Sequence, residues 1–152
     1  MKIELIQDHA VQETEITIRC PELTDDILRI MTMLRIEEHR LIGESDGEIR
    51  VLDSAEVLYA ESSNKRTVLF TFDREYKSAL RLYELEEKLR EADFFRVSKS
   101  CVINFRQIQS IRPDIGGQLT LIMADGKKIW VSRQYSTDIK NKLKSIERSF
   151  KK

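Results

Sequence analysis

The sequence predicts a mainly β protein of the α+β class, in which short antiparallel strands and short helices follow a small β-β-α extension. Three observations carry that prediction. Apolar and polar residues alternate at period two in short runs throughout the chain. Asp46-Gly47 and Asp125-Gly126 each separate two such runs, as a tight hairpin does. Helical spacing is confined to three stretches, around residues 23–36, 82–89 and 139–150.

In order, Lys2-Ile3-Glu4-Leu5-Ile6 and Glu15-Ile16-Thr17-Ile18-Arg19-Cys20 alternate as half-buried strands, and Pro21 ends the second because it has no N–H for a ladder. Ile27, Ile30, Met31 and Leu34 then recur at i, i+3, i+4, i+7, giving a helix with one apolar stripe, with Thr24-Asp25-Asp26 supplying a cap and first-turn acids. The stripe must be buried against the following domain, a second copy or a regulatory partner, and self-association is favoured. A second domain starts at the hairpin around Asp46-Gly47, so we divide the chain into residues 1–44, an acidic β-β-α extension, and 45–152.

Within the second domain, strands are expected at 56–61 and 67–72 around the polar turn Ser62-Ser63-Asn64-Lys65-Arg66, and near 76–79 after a reversal at Asp73-Arg74-Glu75. Leu82, Leu85 and Leu89 mark a short helix. From Ala92 to Arg106, Phe95, Val97, Cys101 and Ile103 face inward at period two, while Arg96, Ser98, Lys99 and Ser100 remain outside. A strand at 108–112 is broken by Pro113 and Gly116-Gly117, and the arms around Asp125-Gly126 are rich in β-formers. A last helix carries Ile139, Leu143, Ile146 and Phe150 on one face and Lys140, Lys142, Lys144 and Arg148 on the other.

A chain of 152 residues can bury a sizeable core without staples, and 41% hydrophobic with 34% charged residues is ordinary for a folded protein. No apolar run is long enough for a membrane span, and the acids near the start do not suit a signal sequence, so a cytoplasmic location is expected. Cys20 and Cys101 are far apart, without CxxC or a neighbouring His, and both are expected as small buried hydrophobes. The zero net charge hides a division. Residues 1–61 carry 6 cationic and 15 acidic side chains, whereas those from Phe94 onward carry 13 and 4. The C-terminal half is the part suited to a polyanion.

No catalytic constellation can be assembled. His9 and His39 lack a matched nucleophile or metal-ligand spacing, Gly116-Gly117 lacks the Lys-Ser/Thr of a phosphate loop, and Glu86-Glu87 read as a solvated helix face. The chain is therefore expected to be no enzyme and to need no cofactor, metal or small-molecule substrate. Lys65, Arg66, Lys99, Arg106, Lys127, Lys128 and Arg133 fall in or beside turns, where they can reach phosphates or base edges. No helix-turn-helix, zinc-finger or basic-zipper pattern accounts for them, which leaves recognition by loops and strand ends. Trp130 and Phe105 could stack on bases, but their alternating strand context favours the core.

Glu61-Ser62-Ser63-Asn64-Lys65, Phe94-Phe95-Arg96-Val97-Ser98-Lys99-Ser100 with Val102-Ile103-Asn104, and Val131-Ser132-Arg133-Gln134-Tyr135 together resemble the LytTR family of bacterial DNA-binding domains, over roughly residues 48–146. Ser98 stands where the family commonly has His, and Lys99 where it has Arg, which keeps the cation and loses the bidentate fork. The resemblance implies an elongated fold of short antiparallel β-sheets whose loops enter successive major grooves. It implies DNA contacts by Lys65, Arg66 and Thr67, by Ser98, Lys99 and Ser100, and by Arg133 and Gln134, while Arg106, basic and beside a turn, is expected to hold phosphates whatever the sequence. Asn104 is expected to fix a turn through side-chain-to-backbone bonds.

The expected function is that of a sequence-specific bacterial transcriptional regulator, a homodimer on repeated promoter half-sites of double-stranded DNA. It would have no receiver domain, and it would answer to a regulatory membrane-protein partner. The rival is a non-enzymatic interaction or scaffold protein whose basic half binds an acidic protein.

Overall fold

The computed structural model describes residues 1–150, apart from the side chains of 32, 33, 35–38 and 148–150. The expected stripe position Phe150 and the cation Arg148 thus lie outside the described side chains, as do residues 151–152 of the expected second domain. Seven strands form one antiparallel sheet: β1 (Arg40–Ser45), β2 (Glu48–Asp53), β3 (Tyr59–Ser63), β4 (Arg66–Phe70), β5 (Glu75–Ser78), β6 (Phe94–Ser98) and β7 (Cys101–Asn104), in the order β2-β1-β5-β4-β3-β7-β6. A second sheet is made of β8 (Ile108–Pro113), β9 (Leu119–Met123) and β10 (Lys128–Val131), in the order β10-β9-β8. The helices are α1 (Asp25–Glu38), α2 (Leu82–Lys88) and α3 (Ser136–Phe150).

The tight turns fix the hairpin registers. Asp46 and Gly47 take φ of 51° and 78°, and Asn64 and Lys65 take 50° and 64°; each pair makes a two-residue connection whose twist suits antiparallel strands. The turn at Asp46-Gly47 lies inside a β1–β2 hairpin that belongs wholly to the large sheet, because Glu44 of β1 pairs with Lys77 of β5. Gly43 allows this approach: a Cβ there would lie 2.7 Å from Cβ of Tyr76.

Two cores form on opposite faces of the large sheet. On one, Leu41, Leu52, Ala60, Leu69, Tyr76 and Val102 meet Leu82, Leu85 and Leu89 at α2. On the other, Tyr59, Val97, Cys101 and Ile103 meet Leu121, Met123, Ile129 and Val131 of the small sheet and Ile139 of α3. β7 is therefore buried on both faces, so Val102 packs as fully as the inward-facing Cys101 and Ile103. The small sheet and α3 cover the end containing β3, β7 and β6, while Ile42, Ile49 and Val51 at the β1–β2 end are 57–72% exposed.

Four expectations are corrected. The strands expected at 2–6 and 15–20 do not form: residues 1–24 make no ladder and all are exposed, so ahead of β1 the extension contributes α1 alone as regular structure. Two short strands with nothing to pack on bury too little to order themselves. Cys20 is exposed for that reason, whereas Cys101 is buried as expected. Trp130 is 72% exposed, because the alternation of β10 turns Ile129 and Val131 inward and so turns Trp130 out; Phe105 is buried. Arg96 is not free outside the sheet, since its side chain is only 19% exposed and engaged.

Candidate nucleic-acid interface

The antiparallel order places the turn of β3–β4 and the turn of β6–β7 at one end of the large sheet. Glu61 pairs with Cys101 across β3 and β7, and the Ser62 N–H donates to the Ser100 carbonyl at 2.9 Å. β10 ends beside β6, where the Ser132 N–H donates to the Val97 carbonyl at 2.8 Å. The turn Arg133–Tyr135 that follows therefore begins at this same end. Lys65 and Arg66, Lys99 and Ser100, and Arg133 and Gln134 are all exposed there. Among the described residues none of these four cations enters an ion pair. Their charge is left for a ligand.

The β6–β7 turn is built to hold Lys99 at its apex. The Arg96 Nε donates to the Ser98 carbonyl at 2.7 Å and its Nη2 to the Lys99 carbonyl at 2.5 Å, while its Nη1 pairs with Glu86 Oε1 of α2 at 2.9 Å. Ser98 works inside the turn: its Oγ accepts from the Ser100 N–H at 3.2 Å and lies 3.4 Å from the Ser100 Oγ. The turn is thus fixed to α2 through the half-buried Arg96 side chain. Lys65, at positive φ, holds a conformation that is uncommon for a long side chain and that the β3–β4 register enforces.

The loop between β8 and β9 closes on Arg133. Gly116 and Gly117 take φ of 84° and 82°, and a Cβ on Gly116 would come 3.1 Å from the Arg133 Nη2, so the guanidinium lies against the bare glycine backbone. Ile115, in the same loop, is fully exposed.

Two expected positions do not join this group. Thr67 is 3% exposed within β4, out of reach of a ligand at the turn. Arg106 lies at the other end of β7, about 13 Å along the strand from the turn at 3.3 Å per residue. Its Nε pairs with Asp93 Oδ2 at 3.2 Å, and Asp93 Oδ1 also takes Lys142 Nζ at 3.1 Å. Lys127 is at that far end too, since the Tyr59 hydroxyl donates to Asp125 Oδ2 at 3.0 Å and the Ala124 N–H to the Gln107 carbonyl. Asn104 fixes a turn: its Nδ2 donates to the Val57 carbonyl at 3.0 Å and its Oδ1 accepts from the Arg106 N–H at 3.0 Å.

Two titrating groups belong to the core behind the interface. Burial, with the Glu61 carboxylate adding to it, pushes the Cys101 thiol up to about 12. Burial and the hydrogen bond to Asp125 also raise the Tyr59 hydroxyl, which stays protonated at neutral pH.

Sequence reading did not find the Arg96–Glu86 clamp or the Gly116–Arg133 contact. Ten residues and a change of element separate Arg96 from Glu86, so no spacing signals them. The paired glycines were visible, but only as a break between strands.

The family model for the LytTr DNA-binding domain matches residues 47–144. An uncharacterized HTH-type transcriptional regulator of Staphylococcus aureus strain NCTC 8325 is 30% identical over 145 residues, covering 94% of this chain and 98% of that protein. A counterpart in strain MRSA252 is 29% identical over the same share of each chain. A solved LytTr DNA-binding domain from Bacillus cereus superposes with a TM-score of 0.65 at 23% identity, covering 69% of this chain and 96% of that one. It shares the mainly antiparallel β fold. Among the described residues no two α-helices follow one another across a short turn, since β1–β5 separate α1 from α2 and β6–β10 separate α2 from α3. The chain belongs to the LytTR family of DNA-binding domains.

Proposed function

We propose that this protein is a sequence-specific transcriptional regulator that grips double-stranded DNA with the loops at one end of its large sheet. The convergence of three unpaired basic loops, carrying Lys65 and Arg66, Lys99, and Arg133, is the observation that carries this reading. Lys65, Arg66 and Lys99 act as phosphate anchors, and Lys99 also reaches base edges as a point charge. Arg133, with its planar fork, is the principal reader of guanine, and Gln134 and Ser100 supply further polar contacts. Thr67 and Ser98 shape the loops, and Arg106 takes no part in base reading.

Family membership and relatives named as transcriptional regulators support this reading over a scaffold with an acidic protein partner, and over an enzyme. We further propose that the protein acts in the bacterial cytoplasm as a homodimer on repeated promoter half-sites. We extend the proposal to control by a regulatory membrane-protein partner. Selection of bound fragments from random duplex DNA, followed by footprinting, tests the reading. Enrichment of one motif with protection of consecutive major grooves is expected, and no enrichment above random duplex would contradict it.

A further inference from the structure

The single chain leaves two needs unmet, and each fits the other. Among the described residues β2 is an uncovered edge of the large sheet, whereas the opposite edge strand β6 is joined by the Ser132 N–H at Val97. An uncovered edge presents a row of unpaired backbone groups and invites another strand. Ile42, Ile49 and Val51 make one bare apolar face beside that edge, because Ile42 stands opposite Val51 and Glu44 opposite Ile49 in the β1–β2 register. Residues 15–20 have the alternation of a strand and no sheet, with Ile16 and Ile18 exposed. The α1 side chains Leu28 and Met31 are 47% and 40% exposed.

We propose that a second copy of this chain supplies what is missing: the 15–20 segment of each protomer adds to the β2 edge of its partner, and α1 closes over the bare face. This inference rests on the homodimer reading above and gives it a surface. Antiparallel pairing with Thr17 opposite Arg50 places Ile18 on Ile49 and Ile16 on Val51, all on the bare face. The same register sets Arg19 opposite Glu48. The match of apolar with apolar and cation with acid in one register commits the edge to this segment. An edge and a segment that are the same in both copies can exchange reciprocally about a two-fold axis. The extension is also no appendage peculiar to this chain, because the alignment to the Staphylococcus aureus relatives spans 94% of the chain and so includes most of the 46 residues ahead of the family match.

The test uses the full chain. Sedimentation at about 10 µM should give a dimer, and Ile49→Lys with Val51→Lys should give a monomer that still unfolds in one cooperative transition, since both side chains are already exposed in the single chain. Ile16→Lys with Ile18→Lys should do the same from the other side of the contact. An equal mixture of the unaltered protein with an Ile49→Cys, Cys20→Ser chain, treated with a short bismaleimide, should yield the cross-linked heterodimer through Cys20, the one exposed native thiol. A monomeric unaltered protein would overturn both this surface and the homodimer reading. A dimer that survives both pairs of substitutions, or a mixture that yields no such heterodimer, would overturn the surface alone.

Discussion

Replacing Arg96 tests whether the β6–β7 turn, proposed above to meet DNA, is held in place from behind. Arg96→Met keeps much of the aliphatic stem and removes three charge-assisted bonds, two to the carbonyls of Ser98 and Lys99 and one to Glu86. Hydrogen bonds to charged groups contribute about 1.5–3 kcal/mol each when buried, and this side chain keeps partial contact with water. Two turn carbonyls are rehydrated when it goes. A loss of roughly 2–3 kcal/mol is expected, or a Tm lower by about 5–10 °C for a domain of this size. Affinity for the selected DNA should fall about tenfold although Arg96 itself touches no base, because Lys99 must then be ordered on binding. Glu86→Gln keeps both turn bonds and should lose under half as much on each count. Thermal melts and fluorescence anisotropy titrations on the three proteins provide both readouts. Wild-type affinity in Arg96→Met, together with an unchanged melt, would refute the clamp.

Three further outcomes follow from the geometry. Asn104→Ala removes a buried amide bonded to the Val57 carbonyl and the cap of the Arg106 N–H, so unfolding in urea should show a loss of about 2–3 kcal/mol with little change in m. Gly116→Ala combines an unfavourable positive φ with a Cβ pressed on Arg133, so it should weaken discrimination among single-base variants of the selected site more than it weakens affinity for random duplex. Because folding raises the Cys101 thiol from 9.0 to about 12, the native state holds its proton more tightly than the unfolded chain. That contribution is complete below pH 9 and fades as pH climbs toward 12, so pH-dependent melts should show an alkaline loss that Cys101→Ala reduces.

Much of the fold could be read from the sequence because local rules agreed with tertiary ones. The Asp46-Gly47 turn, the two arms around Asp125-Gly126 and the leucines of α2 sit where alternation and helical spacing put them. Misreadings came where burial was decided at long range. Ile16 and Ile18 alternate as well as any strand in the body, yet in the single chain they join no ladder and stay exposed. Trp130 alternates with Ile129 and Val131, and alternation alone does not say which set faces the core. The basic turns were legible as chemistry, but their convergence was not, because it depends on the strand order β4-β3-β7-β6 and on the docking of the small sheet, where Ser132 bonds Val97 over a shared core. Arg106 shows the cost: basic, exposed and beside a turn, it lies at the far end with Asp93.

The most direct measurement of the central claim is a comparison of Arg133→Ala, Lys99→Ala and Arg106→Ala in competition binding to the selected DNA and to its single-base variants. Loss of about 1–3 kcal/mol of binding is expected for Arg133→Ala and Lys99→Ala, with preference among the variants flattened most by Arg133→Ala and all three proteins folded. Arg106→Ala should keep both affinity and preference to within about twofold. An Arg106→Ala protein as impaired as Arg133→Ala, or unchanged discrimination in both Arg133→Ala and Lys99→Ala, would contradict the assignment of DNA reading to this end of the sheet.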